Sequence, residues 1–229
     1  SSHSMLNGAG HQRAMVFQVT VQGKQIRSAV KNGTLLDFNL RKEIPLAYIN
    51  KVKVQTGYMN VSSPELTALD LVSQEEKVGG LSRVAEVLIE LAERMEWDDS
   101  KLALLNYFNA PIVQRLGYLL DLIDESKLAD GLMRLAKQEG KIVRKVRLKH
   151  SKPETEDMEI DKKWKIIINQ EIEMPTLEEL QEMAAVDIRN VDKSTLVDLD
   201  DVEIHEELPQ AERIADYIKQ IKNPYCYLR

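Results

Sequence analysis

The residues of this 229-residue chain that come nearest to a reaction centre are two glycines, a serine and a pair of aspartates. Gly79, Gly80 and Ser82 in "VGGLSR", followed by Asp98 and Asp99 in "WDD", imitate the parts of a nucleotide-transferring site. That chemistry needs a glycine-serine turn to hold a triphosphate and two carboxylates on a strand to hold Mg²⁺. The intervening "LSRVAEVLIELAERM" has helical periodicity, so it carries the aspartates well away from the glycines. Gly79-Gly80 is better explained as the entry to that helix. Asp70, in "NVSSPELTALDLV", is an isolated carboxylate among leucines. General acid–base work would need a second carboxylate, a histidine or a metal ligand beside it, and the segment supplies none. The expectation for Asp70 is a boundary position or a buried hydrogen bond.

The remaining candidates fall the same way. His3, His11, His150 and His205 show no metal-ligand spacing, and Asp200-Asp201 and Glu206-Glu207 read as solvated surface. Neither a phosphate-binding loop nor a dinucleotide fingerprint is present. No catalytic, metal or cofactor residue is therefore expected. The basic residues carry a different chemistry. Lys141, Arg144, Lys145, Arg147 and Lys149 lie in "KIVRKVRLKH", whose alternation lets Arg144 and the residues two apart from it line one strand face. Lys24, Arg27, Lys51 and Lys53 can add to a positive sheet surface. Such a face contacts phosphates without reading sequence, in a salt-sensitive way. Aromatic interleaving is poor, which argues against stacking on single strands.

Composition is that of an ordinary globular chain able to bury a core, 43% hydrophobic and 30% charged. No apolar run approaches the roughly 20 residues needed to cross a bilayer, and "SSHSMLNGAG" lacks the basic-then-apolar pattern of a signal peptide. With Cys226 as the single cysteine, a reducing cytoplasm fits best. The net charge of −6 conceals a basic first part and an acidic last third, densest at "DLDDVEIHEE". Opposite charge in two parts of a chain suggests a nucleic-acid or protein partner on one side, or simply two unlike surfaces.

The elements that must hold these residues are legible as an α+β arrangement. Period-two segments ("MVFQVTV", "TLLDFNL", "INKVKVQ", "GYMNV") with turns at Asn32-Gly33 and Thr56-Gly57 predict strands over about 15–61 and an antiparallel sheet. Helices follow over about 63–140. Pro64 marks the first turn of one, with Ser63 as its cap or Ser62 and Glu65 as a capping box. Leu81, Val84, Leu88, Leu91 and Met95 stripe the next, and Asp98 or Asp99 caps "SKLALLNYF". Pro111 opens a helix striped by Ile112, Leu116, Leu119 and Ile123; Ser126 caps the last, which Gly140 stops. Gly117, within "RLGYLL", suggests a close helix crossing. Strands return over about 142–172. Met174-Pro175 marks a boundary between a domain of residues 1–173 and a small acidic α/β appendage, 174–229, with Thr176 and Glu179 in capping-box spacing. The chain stops at "NPYCYLR" as a new strand begins, the pattern of a truncated unit or of an unusual C-terminus.

Several of these segments, in order, carry a resemblance. "LNGAGHQRAMVFQVTV", "VSSPELTALDLV", "GGLSRVAEVLIELAERM", "VQRLGYLLDL" and "WKIIINQEIE" resemble the C-terminal domain of the AbiE-type abortive-infection antitoxins, over roughly residues 5–173. The resemblance implies a bacterial type IV antitoxin of phage defence. Such a protein opposes a nucleotidyltransferase toxin from its own operon without a stable complex, and represses that operon. The family's winged-helix domain does not fit before His11, so the resemblance extends to the antitoxin part and does not carry operator recognition over to this chain alone. His11 and Gln12 read as a structured loop. Residues 174–229 are similar to a small bacterial family of unknown function, through "TLEELQEMAAVDIRNVDKSTLVDLDDVEI" and "ERIADYIKQIKNPYCY". The expectation is an antitoxin assisting transcriptional autoregulation; the alternative is a DNA-binding regulatory module without antitoxin activity.

Overall fold

The computed structural model describes residues 16–24, 26–31, 34–54, 57–174 and 225–226. In chain order its strands are Val16–Gln22 (β1), Ala29–Lys31 (β2), Thr34–Arg41 (β3), Ile49–Val54 (β4), Gly57–Ser62 (β5), Val146–Arg147 (β6), Ile160–Asp161 (β7), Ile166–Ile167 (β8) and Tyr225–Cys226 (β9). Its α-helices are Pro64–Ser73 (α1), Leu81–Ala92 (α2), Ala110–Leu122 (α3) and Ser126–Gln138 (α4). An α+β protein results, with strands leading and helices following. It divides between Ser62 and Ser63 into two compact units, β9 belonging with the first.

The first unit is a six-stranded sheet in the order β2-β3-β1-β9-β5-β4. Alternation along β1 places Val19 and Val21 on one face, where they pack with Leu36, Phe38, Ile26 and Met59. The opposite face of the same strands is polar yet also buried, and there Asn39 Nδ2 donates to Gln18 Oε1 at 2.7 Å. That bond answers the cost of burying two amides. The expectation of a purely antiparallel sheet requires correction. β2 and β3 pair antiparallel, as do β4 and β5, but β1 pairs parallel with β3 in the register Val19↔Phe38. The segment after β1 places β2 beyond β3, so the turn from β2 brings β3 back beside β1 in the same direction. Local turn signals identify hairpins and cannot say which further strand lies alongside. The closing strand is not left without a partner either: β9 pairs with both β1 and β5.

In the second unit, local rules decide the helix ends. Ser63 caps α1, its Oγ accepting from Leu66 N at 3.2 Å. The alternative box with Ser62 is not used, because Glu65 turns inward and its Oε1 accepts from Glu96 N at 2.8 Å. Asn109 caps α3 through Ile112 N, with Pro111 in the first turn. At the end of α4, Lys141 N reaches Ala136 O and Gly140 N reaches Lys137 O, a closed C-terminal motif that Gly140 permits at φ 61°. Ser126 is the first helical residue, and no side-chain cap precedes it. "SKLALLNYF" forms two 3₁₀ turns and not an α-helix, with Asp98 accepting from Ser100 N.

The predicted α2 stripe is buried at all five positions. On α3 the buried set is Val113, Leu116, Leu119 and Leu120, with Ile112 and Ile123 only half-buried. Gly117 does permit a close approach, though to an indole and not to another helix. Trp164, fully buried in the turn between β7 and β8, lies where a Gly117 Cβ would be. Its Nε1 donates to Asp121 Oδ2 at 2.6 Å. Lys163 beside it bridges Asp121 and Asp130 at 2.9 and 2.8 Å. The small sheet β6-β8-β7 is thereby held to α3, helped by Gln114 Nε2, which donates to Arg144 O and Trp164 O. Readings that concern His3, His11, Gln12, the Asn32-Gly33 turn, the Thr176–Glu179 box and the acidic segment around Asp200 lie outside the described residues.

Candidate nucleic-acid interface

The nine basic candidates fall into two groups, one per unit. In the first unit, Lys24 follows β1 and Arg27 precedes β2, both exposed. Lys51 and Lys53 are two apart on β4, the edge strand of the sheet, and so project to one side. Across the hairpin their register partners are Asn60 and Tyr58. Tyr58 is 62% exposed, a large aromatic surface adjoining two cations. Val52 and Met59, between them in register, take the opposite side of the sheet, where Met59 packs against the core. Lysines on an edge strand also have a structural use: their charge discourages pairing with a foreign strand. Lys24 and Arg27 belong to the connection between β1 and β2. β4 lies three strand steps from β1, about 14 Å at the usual spacing.

The second group is used largely by the fold. Lys141 Nζ donates to Phe108 O at 2.9 Å, and Arg147 donates to Lys152 O at 3.0 Å while its own carbonyl accepts from Arg115. Lys149 sits between Glu75 and Glu76. Burial works to lower the ammonium pKa, but hydrogen bonds and charge from both carboxylates outweigh it and raise the group. The same hydrogen bond leads the causes that hold Glu76 below the ordinary carboxylate range. A cation shared by two carboxylates offers no net attraction to a phosphate. The alternation predicted from Arg144 is also corrected: Val146 and Leu148, two and four residues on, are buried, because β6 turns those side chains into the unit. Arg144 and Lys145 are exposed and remain the usable pair of this group.

The carboxylates that imitate a reaction centre have local duties. Asp98 is held low chiefly by the hydrogen bond from Ser100, and Asp99 pairs with Arg134. α2 separates both from Gly79 and Gly80 along the chain, and Ser82, in its first turn, accepts through Oγ from Glu173 N. Asp70 is 2% exposed and engaged in the interior. Among the described residues no three His, Cys, Asp or Glu side chains come together as a metal site.

Tyr58 is the residue that reading along the chain missed. Its signal is the turn at Thr56-Gly57: once β4 and β5 are taken as a hairpin, counting back from it sets Tyr58 opposite Lys53.

Compared with known families, residues 1–122 match the model described as the AbiEi antitoxin C-terminal domain, and residues 183–229 match one described as a family of unknown function. Neither the curated proteins nor the solved structures yield a match. The first family match covers more than half of the chain and includes β1–β5 and α1–α3; residues 123–173 lie beyond it.

Proposed function

We propose, from the premise that this chain belongs to the AbiEi antitoxin C-terminal domain family, that it counteracts a nucleotidyltransferase toxin encoded in the same operon. The family places it among the antitoxins of abortive-infection toxin–antitoxin systems. The match over residues 1–122 carries the reading. What the chain itself adds is the character of its surfaces: charged side chains engaged in capping and ion pairing, and an exposed basic edge. The resemblance to type IV antitoxins implies that the chain acts on the toxin's effect without a stable inhibitory complex. Among the described residues no helix is long and apolar enough to cross a membrane.

Growth rescue tests this reading. The chain is co-expressed with the toxin from its neighbouring reading frame, and recovery of growth is expected. Continued arrest with soluble chain present would overturn it. Nucleotide-transfer assays with Mg²⁺ should show no activity that depends on Asp98 and Asp99.

A second reading, a DNA-contacting regulatory module, is favoured by Lys51, Lys53 and Tyr58 on one side of the β4–β5 hairpin. Both readings can hold together, since repression of the operon needs operator contact. Gel-shift binding that weakens steeply with added salt supports this role, and no binding at low salt refutes it.

A further inference from the structure

β9 stands in the middle of the first unit's sheet, between β1 and β5. It runs antiparallel to β1, with Val19↔Cys226 and Thr20↔Tyr225, and parallel to β5, with Val61↔Cys226. Neighbouring strands lie about 4.8 Å apart, so β1 and β5 are separated by about 10 Å across it. That distance is far beyond the roughly 3 Å of a backbone hydrogen bond. Without β9 the sheet is therefore two pieces, β2-β3-β1 and β5-β4, facing a slot lined by unpaired N–H and C=O groups.

The slot and its occupant come from different matched families. β1 and β5 lie within residues 1–122, and β9 lies within residues 183–229. The occupying sequence suits the task. Tyr225 and Cys226 avoid the charges and glycines that weaken a central strand. Strand addition of this kind takes its affinity from the main chain and its register from side chains.

We propose that the space between β1 and β5 is a strand-acceptor site of the antitoxin domain, and that β9, Tyr225–Cys226, is its donor, bound here in cis. The segment matched to the family of unknown function thereby completes the sheet of the domain it follows. The inference uses only strand order and register, so it stands whether or not the antitoxin reading holds.

The test compares the intact chain with its Cys226→Pro and Cys226→Val variants. Proline removes an N–H from a strand paired on both sides, whereas valine keeps the backbone donor. Cys226→Pro should melt at least 5 °C lower, and Cys226→Val within about 2 °C of the parent. A fluorescent KNPYCYLR peptide should bind the Cys226→Pro chain at least tenfold more tightly than the parent, whose slot is filled. The peptide carrying proline at the same place should bind neither. Equal binding to both chains overturns the proposal, as does no binding to Cys226→Pro or a melting point that proline does not move. Should Cys226→Pro not fold, a chain cleaved after Met174 once folded takes its place. A hundredfold excess of peptide must then displace the C-terminal fragment; retention of that fragment, or its release without any peptide, overturns the proposal.

Discussion

Replacing Gly117 by alanine should destabilise the helical unit by about 3 kcal/mol, even though alanine is the better helix former. The helix gains roughly 1 kcal/mol from the change. Against this, a Cβ at that position overlaps three atoms of the Trp164 indole, a ring with no exposed surface to retreat into. Overpacking of a tight interior typically costs about 1–3 kcal/mol. Displacing the ring also breaks the 2.6 Å bond from Nε1 to Asp121, and a hydrogen bond to a charged acceptor contributes about 1.5–3 kcal/mol. The balance near 3 kcal/mol corresponds to a fall in melting temperature of about 12 °C for a unit of this size. Differential scanning calorimetry of the full chain measures it, with tryptophan emission reporting any exposure of the ring. The decisive comparison is the same substitution in a Trp164→Leu background. There the clash is gone, and Gly117→Ala should be neutral or mildly stabilising, a coupling of about 3–4 kcal/mol between the two sites. If Gly117→Ala melts at or above the parent temperature, or the penalty survives in Trp164→Leu, the packing argument fails.

Four further outcomes are expected. Lys51→Ala with Lys53→Ala should weaken DNA binding to all sequences alike and reduce the slope of log affinity against log salt by about 2, read by fluorescence anisotropy across salt; an unchanged slope removes these residues from the interface. Glu65→Ala should cost about 1.5–3 kcal/mol by denaturant unfolding, because Glu65 is 3% exposed and accepts from Glu96 N, while Glu65→Gln, which keeps an acceptor oxygen, should lose less. At alkaline pH, Lys163 is opposed by burial but raised overall by Asp130 and Asp121, so its contribution is complete below its unfolded value near 10.5 and fades as pH climbs through the folded one. Tyr118, raised by burial and then by Asp161 and Glu159, resists ionisation in the fold, so stability also declines above its unfolded value near 10.0. Melting curves between about pH 9.5 and 12 should thus flatten in Lys163→Met and Tyr118→Phe, and curves parallel to the parent would contradict both assignments. Limited proteolysis should cut near Met174, the domain boundary proposed from the sequence, whereas a single resistant fragment spanning it would argue against that boundary.

Helix starts and buried stripes were legible because their causes are local. Ser63 and Pro64 begin α1 through a bond that spans three residues, and Pro111 stands in the first turn of α3. Leu81, Val84, Leu88 and Leu91 share a face of α2 because a 3.6-residue period lets them, and Met95, just past the helix, is buried as well. The ordered motifs also pointed to the antitoxin family, which the match over residues 1–122 shows. Of the candidate interface, the charges could be listed from composition, but not which of them remain available.

Tertiary structure decided that. It gave Lys149 to Glu75 and Glu76, set Lys141 on Phe108 O, and turned Val146 and Leu148 inward. It also made β1 and β3 parallel, put β9 between β1 and β5, and seated Trp164 against Gly117. Each of these contacts joins residues whose sequence neighbourhoods carry no trace of one another. Periodicity tells a side chain which way to face, whereas only the closed chain determines what it meets there.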